Sequence, residues 1–123
     1  MNNKHILLVE DDEFLQQLYL ELLVREGFHT TASGDGNEAL KLIKSKKWDL
    51  ILLDVMLPGL DGFQIIDELE KTDKTKIKSI VYLTNLDGNE ADLKKLKKAR
   101  HFLIKSDMSP PDFVKKIKAF LSE

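Results

Sequence analysis

The chain has 123 residues, 42% of them apolar, no cysteine, and a formal net charge of only −2. This length suits one domain over residues 1–123, large enough to bury roughly two-thirds of its unfolded surface in a core without staples. The lack of thiols excludes a disulfide framework, a thiolate zinc site and a cysteine nucleophile. The start, Met-Asn-Asn-Lys-His before a short apolar run, offers neither a signal peptide nor a membrane span, so a soluble cytoplasmic protein is expected.

In chain order, Ile6-Leu7-Leu8-Val9 is an unbroken apolar run, as in a parallel strand covered on both faces. Leu15, Leu18 and Leu22 follow at helical spacing. The mixed segment Phe28-His29-Thr30-Thr31-Ala32 reads as an edge strand, and Ala39, Leu40 and Ile43 mark a second helix. Trp48, expected to pack at the amino end of the sheet, precedes a buried strand over Leu50-Ile51-Leu52-Leu53. Ile65, Ile66 and Leu69 define a third helix, and Ile80-Val81-Tyr82-Leu83 a fourth buried strand. A weaker helical pattern over 88–99 has Leu93, Leu96 and Ala99 among Lys94, Lys95, Lys97 and Lys98. Phe102-Leu103-Ile104 completes the set of buried strands. Ser109-Pro110-Pro111-Asp112 resembles a capping sequence, opening a helix that places Phe113, Ile117 and Phe120 on one face. Structural roles are expected for His5, His29 and His101.

Five strand–helix units with short connections predict a three-layer α/β/α domain on a parallel sheet. Ligands of such sheets sit beyond the carboxyl ends of the strands. There strand one is followed by Glu10-Asp11-Asp12-Glu13, and strand three by Asp54. Acids on neighbouring loops repel one another unless a cation lies between them, and hard oxygen donors suit Mg²⁺. Asp12 and Glu13 are also ordinary helix-start residues. Thr84 ends strand four and Lys105 ends strand five, adding a hydroxyl and an ammonium. Together these groups form a phosphoryl-transfer set, in which a carboxylate serves as nucleophile and cations neutralise charge.

The motifs Leu8-Val9-Glu10-Asp11-Asp12, Leu53-Asp54-Val55-Met56-Leu57-Pro58-Gly59-Leu60-Asp61-Gly62, Tyr82-Leu83-Thr84 and Phe102-Leu103-Ile104-Lys105 resemble those of the receiver domains of two-component response regulators, over essentially the whole chain. The resemblance implies a flavodoxin-like sheet of order 2-1-3-4-5, with Asp54 accepting a phosphoryl group from a histidine kinase or phosphotransfer protein. It also implies Mg²⁺ held by Asp11 and Asp54 directly, by Glu10 through water, and by the Met56 carbonyl. Thr84 and Lys105 would engage the phosphoryl group, and Phe102 would be either a switch aromatic or plain core. The chain is thus expected to be a signalling domain whose only chemistry is its own phosphorylation and dephosphorylation.

Several residues depart from the family pattern. Asn85 replaces a small residue and is expected to narrow access to Asp54. Ser106 stands where proline is usual, leaving the isomer of its peptide bond open. Lys98-Ala99-Arg100 replaces Gly-Ala, so the fourth helix is expected to run longer or meet strand five differently. Met56 and Leu86 stand where many receivers orient a hydrolytic water, so slow dephosphorylation is expected. A constitutive interaction module of the same fold is the alternative. A Mg²⁺-dependent aspartyl phosphatase is less favoured because Asp-x-Asp-Thr is missing. A flavin or nucleotide site in the first loop is disfavoured because G-x-G-x-x-G and G-x-x-x-x-G-K-[ST] are both absent.

The small net charge conceals a division. Residues 1–70 carry 14 Asp+Glu against 6 Lys+Arg, and residues 71–123 carry 7 against 13. The overall balance excludes a strongly basic nucleic-acid binder, and neither nucleic acid nor membrane is an expected partner. The lysine-rich stretch from Lys94 is expected either to be a solvated surface or, as part of a helix 4–strand 5–helix 5 face, to dock an acidic target or a second copy. A stand-alone regulator acting through its own surface is the expectation, with a receiver cut from a longer protein as the alternative.

Overall fold

The computed structural model describes residues 3–85 and 90–123. The strands are β1 (His5–Val9), β2 (His29–Ser33), β3 (Leu50–Asp54), β4 (Ile80–Thr84) and β5 (His101–Ile104). They alternate with helices α1 (Glu13–Arg25), α2 (Gly36–Ser45), α3 (Gly62–Thr72), α4 (Glu90–Leu96) and α5 (Pro110–Leu121). Every strand pairing is parallel, in the order β2-β1-β3-β4-β5, as expected. A 3-10 turn at Lys74–Ser79 leads into β4, and another at Lys105–Asp107 leaves β5.

Alternation along the strands divides the core between the two faces of the sheet. Leu7, Val9, Ile51, Leu53, Ile80 and Tyr82 meet α2, α3 and α4 through Ala39, Ile43, Ile65, Ile66, Leu69 and Leu96. Ile6, Leu8, Leu50, Leu52, Val81 and Leu83 meet α1 and α5 through Tyr19, Leu23, Phe113 and Ile117. Burial on both sides explains the unbroken apolar runs of β1, β3 and β4. Trp48 is buried as expected, its Nε1–H donating to the Leu42 carbonyl at 2.9 Å.

Two expectations are corrected and a third is sharpened. β5 is an edge strand with only Leu103 buried, so its apolar run is not that of a strand covered on both sides. In α1 the buried pair is Tyr19 and Leu23, with Leu15, Leu18 and Leu22 only partly covered. The abundance of leucine around that helix blurs its stripe, and stacking of Tyr19 on Phe113 at 4.5 Å sets the rotation. The α4 helix ends at Leu96, short of the expected residue 99, because the Arg100 N–H pairs with the Ile80 carbonyl at 3.0 Å to start β5. The expected start at 88 lies outside the described residues.

The helix starts all point to the carboxyl end of the sheet, and four carry side-chain caps. Asp12, Asp35, Asp61 and Ser109 accept from the backbones of Leu15, Asn37, Gln64 and Asp112. For α5 the predicted Ser109–Asp112 cap is a reciprocal capping box.

Candidate functional site

The predicted chemical residues converge at the carboxyl end of the sheet because their strands run in parallel. Glu10 and Asp11 directly follow β1, Asp54 closes β3, Thr84 closes β4, and Lys105 follows β5. Glu10 is fully buried and Asp54 and Thr84 nearly so, whereas Asp11 is exposed. Glu10, Asp11 and Asp54 each offer a carboxylate oxygen within 4.8 Å of the others.

The charge of this group is partly compensated from within. Lys105 Nζ donates to Glu10 Oε1 at 2.8 Å and to Asp54 Oδ2 at 3.0 Å. The other oxygens accept backbone N–H groups: Glu10 Oε2 from Asp12 at 3.1 Å, and Asp54 Oδ1 from Met56 at 3.1 Å. Burial opposes the Lys105 charge, but its ion pairs with Glu10 and Asp54 outweigh that and hold it above the ordinary lysine value. For Asp54, burial and the neighbouring Glu10 overcome Lys105 and push its pKa up to about 7.

The donor set fits a hard divalent cation. It consists of oxygens alone, spans a short distance, and includes one carboxylate open to solvent where coordinating water has room. Met56 is anchored beside it through its N–H, with its side chain 67% exposed. Phe102 is half-buried against the α2–α3–α4 core and lines a cleft of about 240 Å³ with Leu96 and Ala99.

The loop around Asp54 depends on close backbone approach. A Cβ on Gly62 would lie 2.6 Å from the Asp54 carbonyl, and the Gly62 N–H donates to the Val55 carbonyl at 2.8 Å. The Tyr82 hydroxyl donates to the Gly62 carbonyl at 3.0 Å, and burial keeps that phenol protonated by raising its pKa.

Sequence reasoning missed two supports of the site. The Gln16 amide donates to the Glu10 carbonyl at 2.8 Å, a contact whose six-residue spacing matches no motif. Asn85 Oδ1 accepts from the Ser106 N–H at 3.0 Å, so this exposed side chain is turned to the loop after β5. The Lys105–Ser106 peptide is trans. Leu86 lies outside the described residues.

A parallel 2-1-3-4-5 sheet carrying clustered acids, a hydroxyl and a lysine at its carboxyl edge defines the phosphoacceptor class of signalling domains. The sequence profile of the response regulator receiver domain matches residues 6–118, and the chain belongs to that family. It is similar to the transcriptional regulatory protein AfsQ1 of Streptomyces coelicolor, 39% identical over 72 residues covering 58% of this chain and 32% of that protein. The polar-differentiation response regulator DivK of Brucella anthropi is 27% identical over 121 residues, 98% of each chain. The response regulator TrrA of Thermotoga maritima, solved in complex with Mg²⁺-BeF, superposes with a TM-score of 0.80 at 31% identity, over 95% of this chain and 98% of that one. The chain spans about a third of the length of the first curated transcriptional regulators it matches.

The chain is thus a receiver domain, a phosphoacceptor signalling module and not a classical enzyme. Its family exchanges phosphoryl groups with histidine kinases or phosphotransfer proteins and signals to downstream targets. Among the described residues no helix is long and apolar enough to cross a membrane.

Proposed function

We propose that residues 1–123 form one cytoplasmic receiver domain in which Asp54 is the phosphoacceptor. The observation that carries this is the Lys105 bridge, which holds buried Asp54 and Glu10 together while Asp11 stays open to solvent. The Asp54 carboxylate attacks the phosphorus of a phosphohistidine. An O–P bond forms, the P–N bond breaks, and the donor histidine leaves with the electron pair. Glu10, Asp11, Asp54 and the Met56 carbonyl would hold Mg²⁺, which when bound supplies charge neutralisation among the carboxylates and phosphoryl oxygens.

On this reading Lys105 exchanges its Asp54 contact for a phosphoryl oxygen, and Thr84 donates its hydroxyl to another. Phe102 then follows Thr84 inward, altering the α4–β5–α5 face that meets the target. Phe14, 75% exposed in the first turn of α1, and Met56 offer apolar anchors to the phosphodonor beside the acids. Met56 has no group to orient water, so the acyl phosphate is long-lived: its half-life in Mg²⁺ buffer is minutes or more, and decay within seconds would count against this.

Intact-mass measurement after incubation with acetyl phosphate and Mg²⁺ tests the assignment. One phosphoryl adduct is expected in the wild type and none in Asp54→Ala. An adduct in both would move the acceptor elsewhere, none in either would favour a constitutive module, and phosphate release from unrelated esters would indicate a phosphatase.

A further inference from the structure

The opposite, amino end of the sheet carries two clefts that the phosphoacceptor chemistry does not use. One, of about 770 Å³, is lined by Lys74, Lys78, Lys98 and Arg100 over Ile77 and Ala99. The other, of about 480 Å³, is lined by Lys47, Lys76 and Lys78 beside Trp48 and Ile51. Lys78 and Ser79 belong to both and form the wall between them. Each volume lies in the range of small-molecule sites.

The charges in these clefts are unequally satisfied. Of the carboxylates lining them, Glu70 is ion-paired with Lys98 at 3.0 Å, while Asp73 accepts from the Thr75 hydroxyl at 2.6 Å and Asp49 from the His5 N–H at 2.7 Å, neutral donors that leave both charges in place. Arg100 is paired with Glu123, and Lys76 donates to the Lys46 carbonyl at 2.6 Å. Lys47, Lys74 and Lys78 are exposed and make no hydrogen bond or ion pair to any described residue. Three ammonium groups without a direct partner therefore rim two adjoining hollows with partly apolar floors, whose joint lining carries six cations against three carboxylates.

The acidic site does not cancel this field. It lies a strand length away, about 17 Å for five residues, or roughly two Debye lengths at physiological salt. A small anion at the amino end senses the lysines and not the distant carboxylates. An extended nucleic acid needs a longer basic track than this compact patch provides.

We propose that these clefts bind a small ligand bearing two or more phosphate groups. Lys74 and Lys78 hold the phosphates, Lys47 extends the contact into the second cleft, and Ile77 with Ala99 floors the first against any ring the ligand carries.

Isothermal titration with inorganic tripolyphosphate and with ATP, both in EDTA, tests the proposal, with Trp48 fluorescence as a second readout. One-to-one binding is expected, weakened at least about tenfold in Lys74→Gln/Lys78→Gln and retained in Lys74→Arg/Lys78→Arg. Asp54→Asn should bind as the wild type does, which separates this site from the phosphoacceptor. Equal affinity for the two probes identifies phosphate alone as the recognised group, and tighter ATP binding assigns the ring to the apolar floor. Several readings would overturn it: no binding of either probe, a Gln double variant within about twofold of wild type, loss of binding in Asp54→Asn, or single-stranded RNA binding about 100-fold tighter than ATP. Circular dichroism of the variants confirms that they are folded.

Discussion

At the residue scale, the protein keeps two nearly inaccessible carboxylates together with a single ammonium, so its site is electrostatically poised before any ion binds. The raised pKa of Asp54 has a definite sign for stability. Between the usual carboxylate range and about 7 the folded state holds a proton that the unfolded chain has released. That contribution is fully present in acid and is lost as pH rises through about 7, at up to ~1.4 kcal/mol per pH unit in the window. Melts in EDTA should therefore show Asp54→Asn gaining more over wild type near pH ~8 than near pH ~5. Equal gains at both would contradict the assignment. Lys105→Met acts in the opposite direction, because it strands Glu10 and Asp54 together in a dry site. A loss of about 3 kcal/mol in metal-free denaturant unfolding near pH ~8 is expected, partly restored by Mg²⁺ if the carboxylates hold it.

At the element scale, the turn joining β3 to α3 ties the site to the fold. Gly62→Ala puts a methyl 2.6 Å from the Asp54 carbonyl, against backbone that cannot yield as a flexible side chain would. The variant should lose about 1–3 kcal/mol in urea unfolding and phosphorylate more slowly, whereas an unaffected variant would show that the loop relaxes freely. The elements were legible where burial is symmetrical: β1, β3 and β4 announce themselves because both faces are covered. β5 misled because three apolar residues look alike at an edge and at the centre, and only pairing order separates them. The face of α1 was obscured by leucines on nearly every side. The chemical residues were readable because parallel strands deliver their ends to one edge. The Gln16 and Asn85 supports were not, since each depends on a loop path that local sequence does not encode.

At the scale of the whole molecule, the division of charge along the chain resolves into a division between two ends of the sheet. Parallel strands align all five helices, so acids that cap or begin helices, Asp12, Glu13, Asp35, Glu38, Asp61 and Asp112, collect near the phosphoacceptor. Arg25, Lys44, Lys71 and Lys118 in the last turns collect at the other end. The lysine run of α4 and of the turn after it is also less uniform than its sequence. Lys98 is paired with Asp67 and Glu70 of α3, and Lys95 lies 5.3 Å from the Phe63 ring centroid. Lys94 and Lys97 remain exposed without a described partner. In a two-fold dimer a residue meets its own copy only at the axis and otherwise a different residue of the other chain, so a dimer through this face has to keep Lys94 and Lys97 off the axis and set acids against them. An acidic partner meets both lysines without that restriction, and we expect the proposed α4–β5–α5 output face to favour it over a second receiver. Sedimentation of the beryllofluoride-treated protein should show a monomer at about 50 mM salt, where repulsion is least screened. A low-salt dimer that survives Lys94→Glu/Lys97→Glu would overturn this, and a dimer appearing only in that variant would show the two lysines to be the barrier.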